Sequence, residues 1–238
     1  MSPKKPKTTV VMVHGALVNG WEMGLLRRRL RLQGYQVRQF YYPSRWRGLE
    51  ENTERLRQFL AEAPGEVLHV VAHSMGAVLT RRIFESTPDP RPGRIVAIGP
   101  PFLGCLTGRR VGALHARAHW LIGKTVRDYV AIESDPVWRG TREIGVIAGT
   151  FPLGAGSLLR GLPRPNDGVV LLSETKLKGI SGHITYRLSH SGLLASRRCA
   201  RQIGYFLENG RFALENLGGA AEDAEPNYQM DQISKEVP

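Results

Sequence analysis

Residues 66 to 84 read Glu66-Val-Leu-His-Val-Val-Ala72-His-Ser-Met-Gly76-Ala-Val-Leu-Thr-Arg-Arg-Ile-Phe84. The first part is an apolar run that reads as a buried strand. The second part, from Met75, has the residues of a helix. The chain must therefore turn sharply at Ser74, and Ala72 and Gly76 are small because neighbouring backbone has to pass close by. A serine on a strained strand-to-helix corner stands exposed at the carboxyl end of its strand. It also lies beside a helix N-terminus, whose free N–H groups favour negative charge. Such a serine is placed to act as a nucleophile.

Outward from this corner, apolar runs alternate with amphipathic segments. Strands are expected at Thr8–Val13, Tyr35–Tyr42, Val67–Ala72, Arg94–Gly99 and Ile144–Gly149, with a further short segment at Ile184–Leu188. Several are apolar throughout, as parallel strands covered on both faces must be. Between them, Leu25, Leu26, Leu30 and Leu32 mark one helix. Leu56, Phe59, Leu60 and Ala63 mark a second at helical spacing, capped by Asn52 or Thr53 and ended by Pro64-Gly65. The last helix follows Ser191-Gly192, carries Cys199, Ile203, Phe206 and Leu207 on one stripe, and closes at Asn209-Gly210. This alternation predicts an α/β architecture, a mostly parallel sheet of about six strands with helices on both faces. Residues 100–143 exceed one crossover and hold a helix-like segment, 111–129, which reads as a short helical cap after the fourth strand. The domain is expected over 8–212, between a basic N-terminal tail at 1–7 and an acidic, mobile tail at 213–238.

Composition restricts the function classes. The 238 residues carry 42% hydrophobic and 23% charged residues, ordinary values for a globular domain. No apolar run approaches the ~20 residues of a membrane span, and only Val10–Val13 follows the basic N-terminus, too short for a secretory signal. With Cys105 and Cys199 as the two cysteines, free thiols and a cytoplasmic location are expected. Both cysteines read as small core residues. The net charge is +12, and arginine dominates it, with runs at 27–31, 81–82, 109–110 and 197–198. These read first as solvated helix faces and second as a peripheral contact with an anionic membrane surface; nucleic acid is not an expected partner. Gly123-Lys124-Thr125 echoes a phosphate-binding loop, but Ala118 stands where the loop needs glycine and no strand precedes it. His115 and His119 have metal-ligand spacing without the glutamate of the zinc-protease motif, so no metal is expected.

A nucleophilic serine needs a base, an acid that orients the base, and donors for the developing oxyanion. His14-Gly15 follows the first strand. Pro165-Asn-Asp167-Gly-Val-Val170 is a turn entering an apolar run. His190 lies in Leu188-Ser-His-Ser-Gly192, ahead of the last helix. Asp135 is a rival acid placed early in the chain order, and His183 is a rival base. His183 precedes the segment Ile184–Leu188 and so would sit at the wrong end of a strand there. His14 and His73 read as structural, holding loops by hydrogen bonds.

With Val13-His14-Gly15, Ala72-His-Ser-Met-Gly76, Asn166-Asp167-Gly-Val-Val170 and His190 in this order, residues 8–212 resemble the α/β-hydrolase superfamily, in particular its small lipase- and esterase-like bacterial serine hydrolases. Ala72 departs from the glycine found there in many members. The resemblance implies Ser74, Asp167 and His190 as the catalytic set. It implies an oxyanion hole from the N–H groups of Met75 and Ala16, with Leu17 second to Ala16, and no metal or organic cofactor. It implies cleavage of a small-molecule or lipid carboxylic ester through an acyl-enzyme. An acyltransferase or thioesterase on the same residues is the alternative, and a non-catalytic binding protein on this fold is a third reading. Leu17, Phe102, Leu103, Leu106, Trp120 and Leu121 are expected around an acyl pocket under the cap, with core packing as the equal alternative.

Overall fold

The computed structural model describes residues 7–87, 89–114, 119–132, 134–154 and 162–214, with backbone alone at 114 and 119–121. Six strands form one sheet: β1 (Thr8–Val13), β2 (Gln36–Phe40), β3 (Val67–His73), β4 (Ile95–Ile98), β5 (Ile144–Gly149) and β6 (Gly182–Tyr186). The order is β2-β1-β3-β4-β5-β6, and each neighbouring pair is parallel.

The apolar runs face both ways. In β1, Val11 and Val13 point into one core and Val10 and Met12 into the other. In β4, Ile95 and Ala97 oppose Val96 and Ile98 in the same way. One core packs under α2 (Leu49–Ala61), α3 (Met75–Ser86) and α5 (His119–Val130). The other packs under α1 (Gly24–Leu32), α6 (Gly192–Ala195) and α7 (Arg197–Asn209). Burying one such Leu, Val or Phe side chain contributes ~1.5–3 kcal/mol, and this two-sided burial fixes the three-layer arrangement. The remaining helix, α4 (Leu106–Leu114), and α5 lie between β4 and β5. They form two helices where one segment, 111–129, was expected.

Three differences from the sequence reading have physical causes. Helix α2 begins at Leu49, so Asn52 and Thr53 lie inside it; its first N–H is capped from another element, Leu49 N–H donating to Asp128 Oδ2 at 3.0 Å. Asn52 is instead buried and donates to Thr125 Oγ1 at 2.9 Å. The last strand runs Gly182–Tyr186, two residues before the expected Ile184–Leu188, because its pairing with Gly145–Gly149 of β5 sets its limits. Arg81 is not a solvated helix residue. It is buried on α3 and donates to the carbonyls of Asp135 and Val137, both at 2.9 Å, and to Glu85 at 3.0 Å. The acidic tail expected at 213–238 falls outside the described residues beyond Leu214.

Strand order reverses at β1: β2 lies on one side of it and β3 on the other. The loops leaving the carboxyl ends of β1 and β3 therefore diverge, and such a switch point is where open parallel sheets form a crevice. The loop beginning at His14 and the corner at Ser74 flank that point.

Candidate active site

Ser74 adopts φ 52 and ψ −124 between β3 and α3. A positive φ on a residue with a Cβ is strained, and strain of this kind gathers at functional sites. The corner is held from both sides: Ser74 N–H donates to Ile98 O at 2.8 Å and Ala77 N–H to Ser74 O at 2.9 Å. Gly76 is required by close approach, since a Cβ there would lie 2.4 Å from His14 O and 2.6 Å from Val13 O. Residues 71–80 are buried apart from Ser74, which is partly exposed. Met75 opens α3, so its N–H has no helical partner and points out of the helix N-terminus.

Asp167 and His190 arrive from loops around the far strands and meet. His190 Nδ1 lies 2.7 Å from Asp167 Oδ2, and His190 N–H donates to Asp167 O at 2.8 Å. The Asp167 carboxylate is 1% exposed, and its other oxygen accepts from Val169 N–H at 3.0 Å and Val170 N–H at 2.7 Å. The carboxylate is thus fully occupied, with one oxygen committed to the ring. Both side chains lie against Gly99 after β4, where a Cβ would be 3.0 Å from His190 Nδ1 and 3.2 Å from Asp167 Oδ2. The rivals are engaged elsewhere. Asp135 pairs with Arg139 at 2.7 Å on the surface. His183 is the second residue of β6, at its amino end, with Nε2 2.8 Å from Thr175 Oγ1.

The loop after β1 packs against the corner: a Cβ on Gly15 would lie 3.2 Å from Ser74 Cβ. His14 holds this loop. Its Nε2 accepts from Tyr42 N–H at 3.1 Å, so Nδ1 carries the proton toward Gly15 O at 2.7 Å. Burial lowers its pKa and keeps it neutral. Tyr42 stacks on the His14 ring and donates its hydroxyl to His14 O at 3.1 Å. Leu17 has φ 63, and its N–H donates to Ser44 Oγ at 2.8 Å. The Ala16 N–H makes no hydrogen bond among the described residues.

The ring nitrogens of His73 make no hydrogen bond of full geometry among the described residues, and the polar group they approach is the backbone of His190. His73 is buried, and its ring lies 4.5 Å from the His190 ring at a tilt of 44°. Burial first, then the neighbouring His190, pushes its pKa well below the ordinary value. It is a neutral wall behind the Asp167–His190 pair.

Of the expected pocket residues, Phe102 is fully buried within the core beside α3, and Leu103 packs against it. Leu106 is half-buried at the start of α4, where its N–H donates to Glu174 Oε1 at 2.6 Å. The side chains of Trp120 and Leu121 lie outside the described residues. A cavity of about 660 Å³ opens beside the β1 loop; Leu17, Val18, Tyr41, Tyr42, Ser44 and Trp46 form much of its wall. Of the expected pocket residues whose side chains are described, Leu17 alone lines it. Sequence reasoning missed Ser44, Tyr42 and the glycine at 99. Ser44 and Gly99 each follow a strand, but that alone gives no sign of what their atoms touch.

Among the described residues, no three His, Cys, Asp or Glu side chains gather as a metal site would require. No helix among them is long and apolar enough to cross a membrane.

No family model matches the chain, and no curated protein matches it in sequence. Solved structures do match in shape. The mature lipase BlEst2 of Bacillus licheniformis superposes with a TM-score of 0.64 at 15% identity, over 88% of this chain and 93% of that one. A metagenomic carboxyl esterase gives 0.60 at 18% identity, over 77% and 64%. A lipase-esterase related protein from Clostridium acetobutylicum gives 0.57 at 12%, over 87% and 96%. Parallel sheet, flanking helices and overlap over more than three quarters of this chain agree with one another: the chain has the α/β-hydrolase fold.

Proposed function

We propose that the protein is a serine hydrolase of carboxylic esters. The observation that carries the reading is the Asp167–His190 pair at 2.7 Å, on the sheet edge that also presents Ser74 with a positive φ. Solved structures of the same fold that are named lipases and esterases support it.

In this mechanism His190 Nε2 takes the Ser74 proton as Oγ attacks the acyl carbon, and the carbonyl oxygen becomes an oxyanion. Asp167 fixes the Nδ1–H tautomer and stabilises the imidazolium. The N–H groups of Ala16 and Met75 receive the oxyanion; each such donor contributes on the order of 10²–10³-fold in rate. The tetrahedral intermediate collapses, the C–O bond to the alcohol breaks, and His190 returns the proton to the alcohol. Water, deprotonated by His190, then attacks the acyl-enzyme; the bond from Ser74 Oγ to the acyl carbon breaks, His190 returns the proton to Oγ, and the carboxylic acid leaves. A fluorophosphonate probe tests the reading: it labels the wild-type protein and not Ser74→Ala. A folded wild-type protein that takes no label refutes it. Product analysis with water, alcohol and thioester partners separates the hydrolase from the acyltransferase and thioesterase alternatives.

A lipid ester is favoured by the rim of the site. Leu17, Val18, Trp21, Tyr41, Trp46, Phe151 and Leu153 are all exposed, Trp21 at 80% and Trp46 at 69%. All follow the carboxyl ends of β1, β2 or β5, the edge that bears Ser74. Arg45 lines the same cavity, and Arg187 lies over the Phe151 ring at 5.8 Å. Amphipathic aromatic side chains and arginines of this kind suit an anionic lipid interface. We therefore assign peripheral membrane contact to this rim rather than to the arginine runs. Trp21→Ala with Trp46→Ala lowers turnover on anionic vesicles and spares a water-soluble short-chain ester. Equal loss on both removes the assignment.

A further inference from the structure

We infer that Ser44 is a positioning residue for the oxyanion loop, holding Leu17 so that the Ala16 N–H stays free for the transition state. The inference rests on the reading of Ala16 as an oxyanion donor given above.

Leu17 sits in the left-handed region at φ 63, a conformation that a leucine adopts only when its surroundings impose it. The Ser44 hydroxyl imposes it here, accepting from Leu17 N–H at 2.8 Å. Ser44 is 2% exposed, and its own backbone is tied at both ends. Its N–H donates to Tyr42 O, and its carbonyl accepts from Thr125 N–H, both at 3.0 Å. The next carbonyl, Arg45 O, accepts from Lys124 N–H at 3.0 Å.

Those two donors come from an interruption in α5. Gly123 has φ 75 and ψ 160, which breaks the helical ladder and releases the N–H groups that follow it. A Cβ on Gly123 would lie 3.0 Å from Ser44 O, 3.0 Å from Arg45 Cα and 3.1 Å from Leu17 Cδ2. The Gly123-Lys124-Thr125 tripeptide, which resembles the end of a phosphate loop, is therefore a backbone clamp. It seats Ser44, and Ser44 seats the β1 loop. Thr125 Oγ1 locks the clamp by donating to Arg47 O at 2.8 Å and accepting from Asn52 at 2.9 Å.

The chemistry follows from which N–H is occupied. Two adjacent donors, Ala16 and Leu17, leave the β1 loop beside Ser74. Ser44 takes the second and turns that peptide away from the crevice. Without the hydroxyl, Leu17 N–H has no acceptor and its φ relaxes to negative values, which turns the Ala16–Leu17 peptide and, through the Ala16 Cα, displaces the Gly15–Ala16 peptide that carries the Ala16 N–H. The oxyanion exists only in the transition state, so the loss falls on kcat and leaves ground-state binding intact.

The test measures Ser44→Ala beside Thr53→Val. Thr53 offers a matched buried hydroxyl, with Oγ1 donating to Leu49 O at 2.8 Å, and it has no part in the site. On a soluble ester, Ser44→Ala is expected to lower kcat by about 10–100-fold with KM within about threefold, as for a misplaced oxyanion donor. Affinity for a trifluoromethyl ketone, which forms a tetrahedral adduct, falls by the same factor as kcat/KM. Thr53→Val loses comparable thermal stability and keeps wild-type kcat. Where Ser44→Ala does not fold, Ser44→Cys is read the same way, since the thiol keeps the volume and weakens the acceptor. A folded Ser44 variant with kcat within about twofold of wild type, or one that loses only KM, overturns the inference while an inert Ser74→Ala leaves the hydrolase reading standing. Wild-type turnover by Ser74→Ala overturns both.

Discussion

Replacing Asp167 by asparagine isolates the step on which the proposed chemistry depends. Asp167 Oδ1 accepts two backbone N–H groups, from Val169 at 3.0 Å and Val170 at 2.7 Å, while Oδ2 faces His190 Nδ1 at 2.7 Å. In Asp167→Asn the amide can sit in two ways. With its NH₂ toward the backbone, the buried Val170 N–H and the part-buried Val169 N–H lose their acceptor, at ~1–3 kcal/mol for the buried one. The oxygen therefore keeps the backbone bonds, and the NH₂ faces His190. His190 must then present a lone pair at Nδ1 and carry its proton on Nε2. That tautomer cannot accept the Ser74 proton, so kcat on a chromogenic ester should fall ~10³–10⁴-fold, about 4–5.5 kcal/mol of transition-state stabilisation. Stability should barely change, because the two backbone bonds survive; a loss near ~1 kcal/mol would lower Tm by ~2–4 °C in a chain of this size. Steady-state kinetics with thermal melting of the same preparation reads both quantities. A folded variant retaining more than about a tenth of wild-type kcat would show that His190 does not need this carboxylate, and the assignment of the pair would be wrong.

Other perturbations test other parts of the molecule. His69, buried in β3, accepts from Arg94 N–H at 2.9 Å, and burial holds its pKa down to about 4 against 6.5 in the unfolded chain. The unfolded state therefore binds a proton that the folded state refuses, so stability is full above about pH 6.5 and is lost as pH falls toward 4. Melting curves across that window should show the fall, and His69→Asn, which keeps an acceptor, should flatten it; identical pH slopes would refute the assignment. Gly76→Ala places a Cβ 2.4 Å from His14 O and should cost ~1–3 kcal/mol or more, seen as a lowered Tm with loss of fluorophosphonate labelling; unchanged labelling would mean that the corner tolerates the shift. Tyr42→Phe removes the hydroxyl that donates to His14 O at 3.1 Å and should cost about 1 kcal/mol, read as a lower midpoint in urea; an unchanged midpoint would mean that the bond contributes nothing net.

Much of the site is legible in the chain because its signals are local. The apolar run 67–72, the small residues at 72 and 76, and the helix from Met75 follow from strand and helix patterning and from the space that a sharp corner leaves. Asp167 and His190 are readable as loop residues in the right order, yet their 2.7 Å separation is a product of folding. The acid and base candidates at Asp135 and His183 carry the same side chains. Only the surface pairing of Asp135 with Arg139, and the place of His183 at the amino end of β6, set them apart.

What the sequence by itself determined is the alternation of buried strands and amphipathic helices, hence a parallel sheet covered on both faces, and the corner at Ser74. These depend on side-chain period and on steric limits between near neighbours in the chain. Tertiary structure alone decided that Asp128 caps α2, that Arg81 is a buried clamp, that the His73 ring lies against that of His190, and that Ser44 takes the Leu17 N–H. Each of these joins groups many residues apart, or depends on how far a neighbouring element excludes water. No periodicity encodes such a meeting. It is set by which loops the strand order brings to the same edge of the sheet.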